Sequence, residues 1–143
     1  MRNIKFRAKA ITDNKWRYGY ITECDDFCII DQNNECYVDE NYDFRGDTHF
    51  FRISGAMCDK NTIGQFTGLK DWKEKEIYEG DIISTFLFDD KLYYKVEWDE
   101  IRSSWIFKSL QSSYGGYCYA QDIDIQSSEV IGNIYENKEL LKQ

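Results

Sequence analysis

The sequence predicts a mainly β protein assembled from short strands into a small barrel or sandwich, with an α+β arrangement as the alternative fold class. Three observations predict it. Aromatic side chains make up 17% of the chain, with 11 Tyr, 9 Phe and 4 Trp, and such rings favour pleated, half-buried surfaces. Apolar residues alternate with polar ones in short runs at intervals of roughly ten residues, the spacing of barrel and sandwich strands. Proline is absent from all 143 residues, where average usage near ~5% would place about 7. Turns must therefore rest on Gly, Asn and Asp, and Pro-rich linkers are excluded. With 42% apolar residues, the chain is long enough to bury a core as one domain or two small lobes.

The elements follow in order. Residues 4–11 read as a first strand, with Ile4, Phe6 and Ala8 on one face and Lys5, Arg7 and Lys9 on the other. Thr12-Asp13-Asn14-Lys15 is a turn cluster, and residues 16–22 resume as a strand around Tyr18 and Tyr20, which makes a hairpin. Residues 27–30 are a short apolar strand before the turn-prone Asp31-Gln32-Asn33-Asn34. Acids, Asn41 and Gly46 break any period over 39–48, an irregular surface segment. Residues 50–53 suit a strand, and residues 59–62 suit a single helical turn before Gly64. Strands at 65–69 and 76–78 flank the charged turn Lys70-Asp71-Trp72-Lys73-Glu74-Lys75. Gly80 then supplies a conformation other residues resist, and Asp81 can bond its own downstream amides. Residues 82–88 form a strand, with Asp89-Asp90-Lys91 as the next turn. Tyr94, Val96 and Trp98 alternate against Tyr93, Lys95 and Glu97; Trp105 and Phe107 do the same against Ile106 and Lys108. Gly115-Gly116 marks a turn, residues 130–135 form a closing strand, and Asn137 suits the N-cap of a last short helix over 138–142.

The net charge of −8 is unevenly placed. Residues 1–17 carry six basic side chains against Asp13 alone, whereas residues 23–47 carry nine acidic ones against Arg45 alone. DNA binding requires Lys and Arg to neutralise phosphates, so nucleic acid is disfavoured as a partner. The same segregation permits electrostatic pairing between copies, a possible homo-oligomer. The N-terminus has no signal-peptide apolar core, and the longest apolar run, residues 27–30, falls far short of the ~20 residues that span a bilayer. With five cysteines, an odd number, the expectation is a cytoplasmic protein with reduced thiols and no membrane association.

Candidate chemistry is sparse. Cys24 and Cys28 have a spacing zinc can use, and Cys36, His49 or Cys58 could complete four ligands, but a second close pair is missing and buried thiols are commoner in cores. Asp31, Asn33 and Glu35 mimic the start of a calcium loop, yet Cys36 stands where that loop needs Gly and Tyr42 where it needs Glu. A Cys118–His49 dyad lacks any protease context, and Gly64 and Gly68 lead into a charged turn, not a phosphate loop. Glu79 with Asp81, and Asp122 with Asp124, are paired acids; acid–base work would need one pKa raised by burial. Arg45-Gly46-Asp47 reads as a turn. The candidate binding-face residues are the aromatics Tyr78, Tyr93, Tyr94, Trp98 and Trp105, since small barrels bind partners through exposed rings; the competing reading is that they fill the interior. No catalytic, cofactor or metal residue is assigned.

Four blocks carry a family resemblance: Ile4-Lys5-Phe6-Arg7-Ala8; Gly64-Gln65-Phe66-Thr67-Gly68-Leu69-Lys70-Asp71; Glu76-Ile77-Tyr78-Glu79-Gly80-Asp81-Ile82-Ile83; and Val130-Ile131-Gly132-Asn133-Ile134-Tyr135-Glu136-Asn137-Lys138-Glu139-Leu140-Leu141. Together they resemble the YopX family of phage and prophage proteins. The resemblance implies an SH3-type barrel with a short C-terminal helix over residues 61–143, preceded by a smaller β-containing region over residues 1–60. Members usually have Pro where this chain has Lys138, which should weaken the last helical turn without changing the fold. No catalytic residue or ligand comes with the family. The expected function is that of a small non-catalytic binding or adaptor protein contacting a phage or host protein. The alternative is a nucleic-acid-related role, either a single-strand-binding barrel or an acidic DNA decoy.

Overall fold

A computed structural model describes residues 2–23, 25–26, 28–31, 41–42, 49–50, 55–111 and 115–142. In chain order the strands are β1 (Phe6–Ala10), β2 (Trp16–Glu23), β3 (Cys28–Asp31), β4 (Asn41–Tyr42), β5 (His49–Phe50), β6 (Ala56–Lys70), β7 (Glu76–Tyr78), β8 (Asp81–Leu87), β9 (Asp90–Asp99), β10 (Ser104–Ser109), β11 (Tyr117–Tyr119) and β12 (Glu129–Asn133). The helical residues among those described are three short 3-10 segments, Ala120–Asp122, Ile125–Ser127 and Lys138–Lys142, so the fold is mainly β. Among the described residues, no helix is long and apolar enough to cross a membrane. Two compact units are present, Ile4–Ile63 and Gly64–Gln143 with Met1–Asn3. The division expected between residues 60 and 61 falls inside β6.

In the first unit β1, β2, β3 and the first part of β6 pair in that order, and β6 also pairs with β1, so the four strands close on themselves. A ring of so few strands leaves a narrow interior. Its core accordingly uses small or slender side chains: Ala8, Ala10, Cys28, Ile30 and Cys58, all buried. The expected hairpin at 12–15 is present. Asp13 Oδ1 accepts the Lys15 N–H at 3.0 Å, and Asn14 takes φ +57°, a region Asn tolerates. Residues 59–62 do not form the expected helical turn; they continue β6. The local signal is real, because Asp59 Oδ1 accepts the Asn61 N–H at 2.9 Å. Pairing overrides it: Cys58 lies opposite Cys28, and the Lys9 N–H donates to Thr62 Oγ1 at 2.8 Å. β4 and β5 pair with each other, so strand structure enters the segment expected to be irregular. Residues 51–53 of the neighbouring expected strand, and the turns at 32–34 and 45–47, lie outside the described residues.

In the second unit the latter part of β6 forms a hairpin with β7, with Phe66 opposite Tyr78 and Lys70 opposite Glu76. The other five strands form an antiparallel sheet in the order β11-β10-β9-β8-β12. Cross-strand partners Ile83–Tyr94, Val96–Phe107, Trp98–Trp105 and Phe107–Cys118 put these side chains on one face, as the alternation predicts. That face and β7 build the core of Ile77, Ile83, Val96, Phe107, Ile123, Ile125 and Val130.

Three local expectations change here. The β8–β9 turn is Phe88-Asp89, not 89–91, because Leu87 pairs with Asp90 and Phe88 takes φ +55° to close the two-residue link. The last strand stops at Asn133, whose Oδ1 accepts the Tyr135 and Glu136 N–H groups, both at 3.0 Å, and turns the chain. Asn137 does not cap the final helix with its side chain; its Oδ1 accepts the Asn133 N–H at 3.1 Å.

Candidate functional site

A hollow lined in part by aromatic side chains lies beside Trp105, near the Trp98 end of the core-facing stripe. The turn joining β9 to β10 positions its cation. Asp99 Oδ1 accepts the Ile101 and Arg102 backbone N–H groups at 3.0 and 3.3 Å, and Oδ2 accepts the Arg102 guanidinium at 2.8 Å. That hydrogen bond holds the Asp99 carboxyl below its usual range and raises the Arg102 guanidinium. The Arg102 guanidinium carbon lies 5.3 Å from the Tyr117 ring centroid, within cation–π reach. Trp98 and Trp105 pair across β9 and β10 at 4.9 Å in an edge-to-face arrangement, and Tyr117 and Tyr119 do the same at 5.9 Å along β11.

A hollow of about 650 Å³ lies among Thr67, Leu69, Arg102, Ser104, Trp105, Tyr119, Ala120 and Gln121. The Trp105 Nε1–H is buried and has no hydrogen-bond partner among the described residues. A buried donor without an acceptor is costly in a folded chain. Burial, and next the Tyr117 charge, push the Tyr119 hydroxyl up.

The five sequence-selected aromatics separate. Trp98 is 38% exposed and Trp105 is half-buried against the core; the two rings meet edge to face, and Trp105 lines the hollow. Tyr94 packs against the core beside Cys118 at the other end of the stripe. Tyr93 lies on the opposite face of β9, with the Lys91 ammonium 5.7 Å from its ring centroid. Tyr78 is not a binding-face residue. It is 1% exposed, its ring lies 5.5 Å from that of Phe66, and its hydroxyl donates to Glu76 at 2.8 Å. β7 is short and covered on the face Tyr78 occupies, so the ring serves packing. Sequence reading missed Tyr117, Tyr119 and Arg102. Alternation in Tyr117-Cys118-Tyr119 could have paired the two tyrosines; nothing local marks Arg102.

The remaining candidates resolve as follows. Cys24 and Cys36 lie outside the described residues, as does the His49 side chain. Cys28 and Cys58 are opposite each other and buried; Cys28 Sγ lies 3.7 Å from the Cys58 carbonyl oxygen, and Cys58 Sγ 3.3 Å from that of Ala56. Burial pushes the Cys58 thiol up. It also pushes the Cys118 thiol up, assisted by the Asp122 charge, away from the thiolate a nucleophile needs. Asp31 is buried at the end of β3, and its calcium-loop companions Asn33 and Glu35 lie outside the described residues. Asp81 is buried and accepts the Tyr78 N–H at 2.8 Å, a turn-holding role.

Glu79 is the acid whose carboxyl is raised, by burial first and then by the Glu97 charge, with the Gln65 amide pulling the other way. A carboxyl whose folded value exceeds its unfolded one stabilises the fold below the unfolded carboxylate range. That contribution is lost as pH rises through the folded value. Glu79→Gln is therefore expected to exceed wild type in stability at neutral pH, with the two converging in acid. Urea unfolding across that range checks it, and a pH-independent difference would remove Glu79 as the cause.

Comparison with known proteins agrees with the fold and adds no chemistry. No curated protein matches the chain. The crystal structure of protein EF1440 from Enterococcus faecalis is similar, with a TM-score of 0.56 and 23% identity over 99% of each chain, a likeness of fold. The model of the family described as YopX protein matches residues 5–142. The chain belongs to the YopX family.

Proposed function

We propose that this is a small, non-catalytic binding or adaptor protein, carried by a phage or prophage and acting in the host cytoplasm. It docks an extended segment of a phage or host protein at the aromatic hollow. The observation that carries this reading is the hollow lined by Arg102, Trp105 and Tyr119, beside the exposed Trp98 ring that meets Trp105 edge to face. Paired rings offer rigid contact area at low entropic cost, and the Arg102 guanidinium at the edge of the hollow offers donors to a backbone carbonyl of a docked segment. The strand order β11-β10-β9-β8-β12, with 3-10 turns before the returning strand, supports an SH3-type barrel as the scaffold. The segregated charge of the N-terminal region supports self-association, which light scattering would read directly.

The test is selection of extended peptides on the immobilised protein, followed by affinity measurement. Trp98→Ala and Tyr119→Ala are each expected to weaken a selected peptide about tenfold or more while near-ultraviolet dichroism retains the folded signature. Salt-sensitive retention on single-stranded DNA, abolished by the same variants, would instead support the nucleic-acid reading. The net charge of −8 opposes that outcome.

A further inference from the structure

The hairpin that joins β8 to β9 ends in a residue that neither turn chemistry nor packing accounts for. Leu87 pairs with Asp90, so the link is Phe88 and Asp89, and Phe88 takes φ +55°. Two-residue links favour Gly, Asn or Asp where φ is positive, and a bulky side chain is strained there. Burial does not offset that strain, because Phe88 is 94% exposed. Phe86 and Leu87 are exposed beside it, so the hairpin ends in consecutive apolar residues. A run of exposed apolar residues held against its backbone preference marks a contact surface.

Charge narrows the partner. Asp89 and Asp90 are exposed at the tip, and Asp122 and Asp124 are exposed beside the space that Phe86 and Leu87 help to line. These acids outnumber Lys91, the basic residue of the hairpin end, so an anionic surface or a second tip would be repelled. The aromatic hollow is different. Its charged lining residue is Arg102, and Leu69, Trp105 and Tyr119 supply rings and apolar wall. Arg102 donates to Asp99 through Nη1, which leaves other donors of its fork for a second carboxylate. Tip and hollow lie at opposite ends of β9, a strand of 10 residues, about 30 Å at the usual rise. The tip therefore cannot fill the hollow of its own chain.

We propose that the hairpin tip of one copy docks in the aromatic hollow of a second copy. Phe88 enters beside Trp105 and Tyr119, and the Asp89 carboxylate accepts from the Arg102 guanidinium. The inference rests on the reading that the hollow takes an extended segment, and it names that segment as residues 86–89 of the same chain. Because tip and hollow are different surfaces, the contact is head to tail and grows into a ring or an open chain. A single hairpin tip buries less than a stable interface needs, so the association is weak and exchanges readily.

Sedimentation velocity of the full chain from about 10 µM to about 1 mM tests it. The average mass is expected to rise with concentration past that of a dimer. Phe88→Asn and Tyr119→Ala are each expected to weaken association about tenfold or more. Asn suits the turn, so the Phe88→Asn melting temperature stays at or above that of wild type. Asp89→Lys is expected to weaken association about threefold at low salt and less at high salt. Phe88→Asn keeps its hollow and Tyr119→Ala keeps its tip, so an equimolar mixture should form dimers and stop there. A mixture that stays monomeric, or association that Phe88→Asn leaves intact, would overturn the proposal. So would a monomeric wild-type chain that sediments with phosphatidylcholine vesicles through Phe88, which would assign the tip to a lipid surface. If selected peptides bind at the hollow while the wild-type chain stays monomeric to about 1 mM, the docking reading stands and this inference falls. If selected peptides are indifferent to Tyr119→Ala, both fall.

Discussion

Asp71→Ala is expected to cost about 3–5 kcal/mol of unfolding free energy, the largest loss from any single side chain considered. Asp71 is 2% exposed, and its carboxylate serves two separate pieces of chain. Oδ1 accepts the Lys73 and Lys75 N–H groups at 2.8 and 2.9 Å, which closes the turn between β6 and β7. Oδ2 accepts the Val130 N–H at 3.0 Å, from β12, a strand 59 residues further on. The Asp71 N–H donates to the Lys75 carbonyl at 2.9 Å, and the Trp72 N–H to the Ser128 carbonyl at 3.1 Å, so the turn and β12 are joined at adjacent residues.

Alanine would leave three amides without their acceptor, and hydrogen bonds to a charged group are worth about 1.5–3 kcal/mol each before relaxation. Asp71→Asn should recover only part of the loss, about half. Its single oxygen can still take the turn amides, but its NH2 group then faces the Val130 N–H, donor against donor. Denaturant unfolding of both variants measures this. An alanine cost below about 1 kcal/mol would mean that water replaces the carboxylate at no great loss.

Gly64→Ala is expected to cost about 2–3 kcal/mol through a backbone clash. A Cβ there would sit 2.6 Å from the Glu79 carbonyl oxygen, closer than real Cβ contacts. Neither side can yield freely. The Glu79 N–H donates to the Gln65 carbonyl at 2.9 Å, the Gly80 N–H to the Val96 carbonyl at 2.9 Å, and the Ile134 N–H to the Gly80 carbonyl at 2.9 Å. Four segments thus meet within two residues of the clash. Gly68→Ala is the control. Gly68 takes φ +88°, and an added methyl would meet nothing within 4 Å, so its cost is conformational alone, about 1 kcal/mol. Thermal or chemical unfolding should rank Gly64→Ala well below Gly68→Ala in stability. Equal costs would show that the Gly64 and Glu79 backbones separate easily, and the tight approach would lose its structural meaning.

Both residues belong to the blocks that carry the family resemblance, and the two effects explain why such blocks reveal architecture before chemistry. Asp71 and Gly64 hold strands together; neither lines the aromatic hollow. The rings and the cation that line the hollow, Arg102, Trp105 and Tyr119, lie outside the blocks, which contribute only Thr67 and Leu69 to its wall. Trp98 and Trp105 were legible as ring-bearing positions on one face because alternation is a local property of each strand. Arg102 was not, because its place depends on the Asp99 turn and on Tyr117 arriving from β11. Tyr78 looked as exposed as Trp98 in sequence, since alternation tells which residues share a face and not whether that face is covered.

By itself, then, the sequence determined the strand content, most of the turns, the shared face of Tyr94, Val96, Trp98, Trp105 and Phe107, and the YopX lineage. These rest on side-chain period and turn chemistry, which act over a few residues. The tertiary structure decided that residues 59–62 extend a strand, that Tyr78 is core, that Asp71 reaches Val130, and that, among the described residues, buried polar atoms of Trp105 and Thr85 have no partner. Each of those outcomes depends on chain segments distant in sequence being brought together. Local pattern carries no record of which distant strand will lie alongside, and it is that neighbour which covers one ring and exposes another.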